Sequence, residues 1–178
     1  MKKFIKQCGA ALVVCAASNV AVSDQVEAVI MNLNIGQCID VVGAPGKTNG
    51  SRLQIWRCEW NGYNADNGTM TDQRWRIDNN GFIVNTLSGK CIDVAGAPGT
   101  GNNAAIQLHD CEFSGKNPNG TTTDQKWKIN NGFLVNVLSN KCIMTSWTDQ
   151  AGSKLQLYPC DLNATSGAYL YQRWTFAN

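Results

Sequence analysis

Residues 30–42 read IMNLNIGQCIDVV, and the rest of the chain is organised around this stretch. The pattern returns twice, as IVNTLSGKCIDVA at residues 83–95 and as LVNVLSNKCIMT at residues 134–145. The second copy begins 53 residues after the first, and the third begins 51 residues after the second. Such a period predicts an architecture built from three equivalent units.

Two further motifs follow each copy at matching positions. The first ends in a second cysteine, in RLQIWRC (52–58), IQLHDC (106–111) and LQLYPC (155–160). The second is a Gln-x-Trp triplet, at residues 73–75, 125–127 and 172–174. The cysteines of one unit lie 20, 20 and 18 residues apart, so the simplest disulfide pairing is within units: Cys38–Cys58, Cys91–Cys111 and Cys142–Cys160.

The local pattern indicates β-structure throughout. Polar and apolar residues alternate in 53–56, 74–77, 126–129 and 155–158, which is typical of half-buried strands. Helical periodicity is absent beyond the N-terminal segment, so we expect about four short strands per unit, or twelve in all. Three such units can stack as a solenoid or form an open propeller. One Trp at the end of each unit favours a closed threefold barrel in which Trp75, Trp127 and Trp174 share one core.

The first 23 residues have the pattern of a secretory signal peptide. Three lysines precede a short apolar stretch, and Ala21-Val22-Ser23 offers small residues for cleavage before Asp24. Lipid attachment at Cys15 is a weaker alternative, because Val14 stands where a small residue is usual. The apolar stretch is too short to span a bilayer, and no later segment is long enough. We therefore expect an extracellular or periplasmic protein.

Cleavage before Asp24 would leave 12 basic and 13 acidic side chains. A nearly neutral chain has no positive patch of the kind that binds nucleic acid or anionic membranes. Six cysteines would remain, an even number that suits disulfides in an exported protein. With the cysteines paired and only His109 as a histidine, we expect neither a metal site nor a cofactor.

Three units with CIDV-type motifs, paired cysteines and a final QxW resemble the ricin-B-type lectin family. The resemblance covers residues 28–178, and it implies an all-β, β-trefoil fold in a single domain at 24–178. The repeats would span about 28–78 (repeat one), 79–130 (repeat two) and 131–178 (repeat three). Each repeat in this family can hold one shallow sugar site, called here sites one to three.

The resemblance implies three elements in each site. An Asp after the first cysteine accepts hydrogen bonds from sugar hydroxyls, and an aromatic ring two residues before the second cysteine stacks on the sugar. A polar residue before the QxW Gln, with that Gln, closes the site. In repeat one these residues are Asp40, Gln54, Trp56, Asp72 and Gln73, although the family more often has Asn at position 72.

The match to the sugar-site pattern of the family becomes weaker from repeat one to repeat three. Repeat two has Asp93, Gln107, His109, Asp124 and Gln125, with a histidine as the weaker platform. His109 near Asp93 or Asp110 also raises a catalytic alternative, but no Ser or Cys nucleophile pattern accompanies it. In repeat three Met144 replaces the Asp and Tyr171 the polar residue, leaving Tyr158 as a weak platform. The loops at 59–72, 112–124 and 161–171 should rim the three sites.

The sequence therefore predicts a non-enzymatic lectin that binds glycans on a cell surface or polysaccharide. It could be the targeting subunit of a toxin or larger assembly, because KCIMTSW (141–147) and LQLYPC are similar to the trefoil subunits of cytolethal distending toxins. The competing prediction is a trefoil that contacts a partner protein and whose sugar sites are vestigial. The apolar residues of repeat three favour it, and Asp40 with Trp56 argues against it.

Overall fold

The structure, a computed structural model, describes residues 27–178. The predicted signal peptide, its cleavage before Asp24 and the lipidation alternative at Cys15 lie outside the described residues. Repeat one contains β1 (Val29–Asn32), β2 (Cys38–Val41), β3 (Leu53–Trp56) and β4 (Trp75–Ile77). Repeat two contains β5 (Ile83–Asn85), β6 (Cys91–Val94), β7 (Ile106–His109) and β8 (Trp127–Asn130). Repeat three contains β9 (Phe133–Asn136), β10 (Lys141–Thr145), β11 (Leu155–Pro159), α1 (Tyr169–Gln172) and β12 (Trp174–Ala177).

The twelve predicted strands are confirmed, but one helical turn was missed. Helix α1 has four residues and lies just before the last strand. A single turn of this length is shorter than the window in which a helical period can be recognised. It lies in the segment where repeats one and two have irregular loop.

The strands form three antiparallel sheets of four strands, and each sheet draws on two repeats. The sheet orders are β12-β1-β2-β3, β4-β5-β6-β7 and β8-β9-β10-β11. The QxW strand of one repeat thus pairs with the first strand of the next, and β12 returns to pair with β1 from Val29↔Ala177 to Asn32↔Trp174. The β-trefoil implied by the family resemblance is therefore confirmed.

Equivalent bridges join the three sheets into a ring. Ala28↔Trp75 links the first sheet to the second, Phe82↔Lys126 the second to the third, and Phe133↔Arg173 the third to the first. A closed ring leaves few free strand edges, which are otherwise sites of aggregation.

The three QxW tryptophans pack in one continuous core, as predicted. All three are at most 2 % exposed and belong to the same apolar cluster. Each indole Nε1 donates to the carbonyl of the Ile that follows a repeat's first cysteine, at 3.2 Å for Trp75–Ile39, 3.0 Å for Trp127–Ile92 and 3.0 Å for Trp174–Ile143. The buried indole N–H is satisfied in every repeat, so these rings are structural and unavailable to a ligand.

The three predicted disulfides are present. Cys38–Cys58 and Cys91–Cys111 have Cα–Cα distances of 5.0 Å, and Cys142–Cys160 of 5.1 Å. Each connects the start of a repeat's second strand to a position just beyond its third. Closing a loop of about 20 residues stabilises the fold by roughly 3 kcal/mol through the entropy of the unfolded chain.

No helix among residues 27–178 is long and apolar enough to cross a membrane. Within the same range, no three His, Cys, Asp or Glu side chains are grouped so that they could hold a metal ion.

Candidate carbohydrate-binding sites

Site one is built on the β2–β3 hairpin. Asp40 lies directly opposite Gln54, and Trp56 follows two residues later on the same face of β3. Gln54 Nε2 donates to Asp40 Oδ2 at 2.6 Å. These three side chains line an open cavity of about 210 Å³, and Trp56 is half-buried at its wall. The register therefore brings together the carboxylate, the amide and the aromatic ring that the sequence predicted.

Two loops complete the rim of this cavity. Gly43 and Ala44 line it from the turn after β2, and Asn64 and Asp66 line it from the 59–72 loop. Asn67 Nδ2 fastens the two loops together by donating to the Ala44 carbonyl at 3.1 Å. The sequence predicted that the 59–72 loop forms the rim, but not which residues line the cavity, because irregular loops carry no period from which orientation can be read.

Asp72 and Gln73 occupy a different place from the one expected. We expected them to close the site beside the sugar, but both are buried and neither lines the cavity. Gln73 Nε2 donates to Asp40 Oδ1 at 3.1 Å and to the Arg57 carbonyl at 3.0 Å. Asp72 accepts the Gly46 N–H at 2.7 Å, which holds the turn after β2. Both residues therefore shape the site through other groups.

Site two repeats this geometry on the β6–β7 hairpin. Gln107 Nε2 donates to Asp93 Oδ2 at 2.7 Å, and Gln125 Nε2 donates to Asp93 Oδ1 at 3.1 Å. Asp124 accepts the Gly99 N–H from below, as Asp72 does from Gly46. Asp93, Gln107 and His109 line a cavity of about 210 Å³. The loop residues at its rim are Gly96, Ala97, Glu112, Asn117, Pro118 and Asn119.

The surroundings of His109 do not support the catalytic alternative. Asp110 forms an ion pair with Lys90 and accepts a hydrogen bond from Asn49 Nδ2 at 2.8 Å. It is thus engaged on the outer surface. Asp93 is held by two Gln amides, and His109 lies at the wall of the cavity.

Site three is built from different side chains. Met144 takes the position of the Asp opposite Gln156, and it is fully buried under the Gln172 amide. Trp147 packs edge-on against Tyr158, with ring centroids 5.4 Å apart, and against Tyr171 at 6.0 Å. The platform residue Tyr158 is therefore in contact with another aromatic ring of the same chain, and the site lacks the carboxylate of the other two.

The family model described as the ricin-type beta-trefoil lectin domain matches residues 26–133, more than half of the chain. The chain belongs to this family. A search of curated proteins gives no significant match.

Solved structures similar to this ricin-type domain have the same trefoil. The designed threefold-symmetric protein ThreeFoil aligns with a TM-score of 0.63 and 20 % identity, over 85 % of this chain and 98 % of its own. The hemolytic lectin CEL-III aligns with a TM-score of 0.61 and 26 % identity, over 85 % of this chain and 30 % of its own. The C-half of an earthworm R-type lectin, solved in complex with GalNAc, aligns with a TM-score of 0.59 and 15 % identity, over 85 % of this chain and 97 % of its own.

Site one of this ricin-type domain also receives a residue from repeat three. Lys154 Nζ donates to Gln54 Oε1 at 2.6 Å, so the amide must point its Nε2 toward Asp40. Neither Lys154 nor this contact was predicted, because 100 residues separate the two side chains. The corresponding neighbour of Gln107 in site two is Arg52, whose guanidinium donates instead to the Leu155 carbonyl at 3.2 Å.

Burial shapes the charge of both sites in this lectin domain. It raises the pKa of Asp40, while hydrogen bonds from Gln54 and Gln73 act in the opposite direction. Burial, with the neighbouring Asp40 charge, raises the pKa of Asp72 to about 8. Burial also raises the pKa of Asp93, and it raises the pKa of Asp124 to about 7. In each site, ionisation of one of the two buried carboxyl groups therefore makes ionisation of the other less favourable.

Proposed function

We propose that the protein is an exported, non-enzymatic lectin that binds glycans at sites one and two. The observation that carries the proposal is the repeated pairing of a carboxylate with a ring at the wall of one cavity, Asp40 with Trp56 and Asp93 with His109. A pyranose presents hydroxyl groups at its rim and C–H groups on one face. It therefore suits a site with strong acceptors beside a flat ring.

The arrangement of donors favours hydroxyl recognition. Asp40 and Asp93 each receive two Gln amide hydrogen bonds, which fix the carboxylate and leave lone pairs for sugar hydroxyls. Two such sites on one rigid body raise the apparent affinity for a multivalent glycan, even when each site alone binds weakly. Because the earthworm lectin was solved with GalNAc, that sugar and galactose are reasonable first probes.

The decisive experiment is a glycan array with residues 24–178 and with the Asp40→Ala/Asp93→Ala double variant. We expect binding by the wild type and none by the double variant, with both folded by circular dichroism. Equal binding by the two proteins, or no binding by either, would contradict the proposal.

A second candidate function rests on repeat three. The Trp147, Tyr158 and Tyr171 cluster is partly exposed, with Trp147 46 % exposed, and the nearby Leu170 is 49 % exposed. Exposed aromatic groups of this kind favour contact with another protein, such as the active chain of a toxin. A Trp147→Ala variant that keeps glycan binding but loses association with such a chain would support this additional function.

A further inference from the structure

Each sugar-facing carboxyl group has a second carboxyl group directly behind it. Asp72 lies close behind Asp40, because it accepts the N–H of the next residue, Val41, at 3.4 Å, and the two carboxyl groups interact. Asp93 and Asp124 interact in the same way. All four residues are at most 4 % exposed. Two ionised carboxylates in contact and away from water strongly repel each other, so one proton must be shared within each pair.

The hydrogen bonds indicate which member carries the proton. Asp40 and Asp93 each receive two amide donors, which stabilise the ionised form. Asp124 Oδ2 accepts the Gly99 N–H, but Asp124 Oδ1 is buried without a hydrogen-bond donor among the described residues. A proton on that oxygen, directed at Asp93, satisfies it. In repeat one, Asp72 Oδ1 accepts a long hydrogen bond from the Val41 N–H at 3.4 Å, which leaves a second lone pair for a proton directed at Asp40.

The other charged groups around the pairs do not reverse this order. In repeat one, Lys154 lowers the pKa of Asp40, and Glu59 lies near Asp40 with both carboxylate oxygens buried. Arg57 pairs with Asp66 at the exposed rim. In repeat two, His109 lowers the pKa of Asp93, and Glu112 raises that of Asp124. Lys154 thus favours a charge on Asp40, and Glu112 favours a proton on Asp124. An ionised Glu59 would favour a proton on Asp40, but burial raises the pKa of Glu59 and so weakens this effect.

We propose that Asp72 and Asp124 are positioning residues that work as neutral acids, each donating its proton to the sugar-facing Asp40 or Asp93. This inference rests on the proposed function and specifies how its sites are held. When the rear proton leaves, repulsion pushes Asp40 away from Gln54 and Gln73, and the acceptor geometry for sugar is lost. Site two should lose binding at a lower pH than site one, because the pKa of Asp124 is about 7 and that of Asp72 about 8.

The test is a pH series of sugar affinity for one site at a time. Site one is measured in the Asp93→Ala variant, and site two in Asp40→Ala, with galactose or the strongest array ligand. If only the protonated form binds, affinity is constant below pH 6. By pH 9 it has fallen about tenfold at site one and about 100-fold at site two, because the competent fraction scales the affinity.

The matched controls are Asp72→Asn and Asp124→Asn in the same backgrounds. An Asn amide donates a hydrogen bond at every pH and has nearly the same shape, so binding should persist and the loss between pH 6 and 9 should disappear. Wild-type binding that is flat to pH 9, or an equal loss in the Asn variants, would overturn the inference while leaving the lectin function intact.

A second readout needs no sugar. Carboxyl ¹³C chemical shifts of Asp72 and Asp124, assigned by comparison with the Asn variants, should titrate near pH 8 and 7. Titration of both groups below pH 5 would refute the inference directly. Absence of sugar binding at every pH, with the expected carboxyl titration, would instead refute the proposed function alone.

Discussion

Trp56 and Trp75 belong to the same repeat, and the structure gives them opposite roles. Trp56 is half-buried at the wall of site one, where its ring edge lies near Gly152. Trp75 is 0 % exposed, packs in the central core, and donates Nε1–H to the Ile39 carbonyl. Replacing each by Ala removes the same side chain, so any difference between the two variants comes from the environment.

The expected cost of Trp75→Ala is large. Truncating a buried Trp costs about 3–5 kcal/mol through lost transfer energy and the residual cavity. The Ile39 carbonyl also loses its partner, which adds roughly 1 kcal/mol. For a domain of this size, about 5 kcal/mol lowers the Tm by roughly 10–20 °C. This loss is comparable to the whole stability of many domains.

The expected cost of Trp56→Ala is small in stability and large in binding. Burying a large apolar side chain completely is worth about 1.5–3 kcal/mol, so half-burial implies a loss of about 1 kcal/mol. That loss lowers the Tm by only about 2–4 °C. Sugar affinity at site one should fall about tenfold or more, equivalent to about 1.4 kcal/mol, because the stacking surface is gone.

The assay is a thermal melt of both variants, with sugar titrations of Trp56→Ala in the Asp93→Ala background. Trp60, which is 49 % exposed and lies outside the site-one cavity, provides the control. Trp60→Ala should lower the Tm no more than Trp56→Ala does, and it should leave the affinity unchanged. If Trp56→Ala melts as early as Trp75→Ala, or binds sugar as the wild type does, Trp56 is not the platform and the account of site one is refuted.

Three further predictions follow from the same geometry. Asp40→Ala should weaken total sugar binding more than Asp93→Ala does. Met144→Ala should keep sugar binding but cost about 2–5 kcal/mol of folding stability, because Met144 is fully buried. Sugar titrations and thermal melts test this order, and full binding by Asp40→Ala would contradict it. Lys154→Met should lower the sugar affinity of site one about fivefold, equivalent to about 1 kcal/mol, because it releases the Gln54 amide. The affinity of site two should not change, and the exposed-lysine control Lys128→Met should change neither affinity. An unchanged site-one affinity in Lys154→Met would show that Gln54 needs no orientation by Lys154. Folding stability from denaturant melts should fall as the pH rises from about 4 to 7, at up to roughly 1.4 kcal/mol per unit for each of Asp72 and Asp124. The folded state raises the pKa of both groups and so retains protons that the unfolded chain has released. The Asp72→Asn/Asp124→Asn variant should show a clearly shallower decline, and an identical decline would argue against the raised pKa values.

Much of the fold followed from local pattern combined with repetition. The alternation in 53–56 places Gln54 and Trp56 on one face, and the repeated cysteine spacing gives the pairing that the structure contains. The shared core of Trp75, Trp127 and Trp174 follows because three equivalent units around an axis bring equivalent residues together.

The remaining features depend on contacts that no local pattern records. Lys154 reaches Gln54 across 100 residues because an isolated bridge joins the third strand of repeat one to the start of the third strand of repeat three, across two different sheets. Asp72 is buried because the turn after β2 folds over it, and Gly46 has no room for a side chain there, since a Cβ would lie 2.5 Å from Val41. Trp147 covers Tyr158 from a position with φ of 57°, where repeats one and two have glycine. Neither the direction of an irregular loop nor the burial of its polar groups can be read from residue spacing.

A crystal structure of residues 24–178 soaked with GalNAc, or with the strongest ligand from the array, would show directly which of the three sites bind sugar. We predict one sugar ring against Trp56 with its hydroxyl groups on Asp40, and a second against His109 with its hydroxyl groups on Asp93. Site three should contain no sugar, with Trp147 still packed on Tyr158. Sugar bound at site three, or sugar absent from both Asp40 and Asp93, would show that the two carboxylate sites do not bind glycans as proposed.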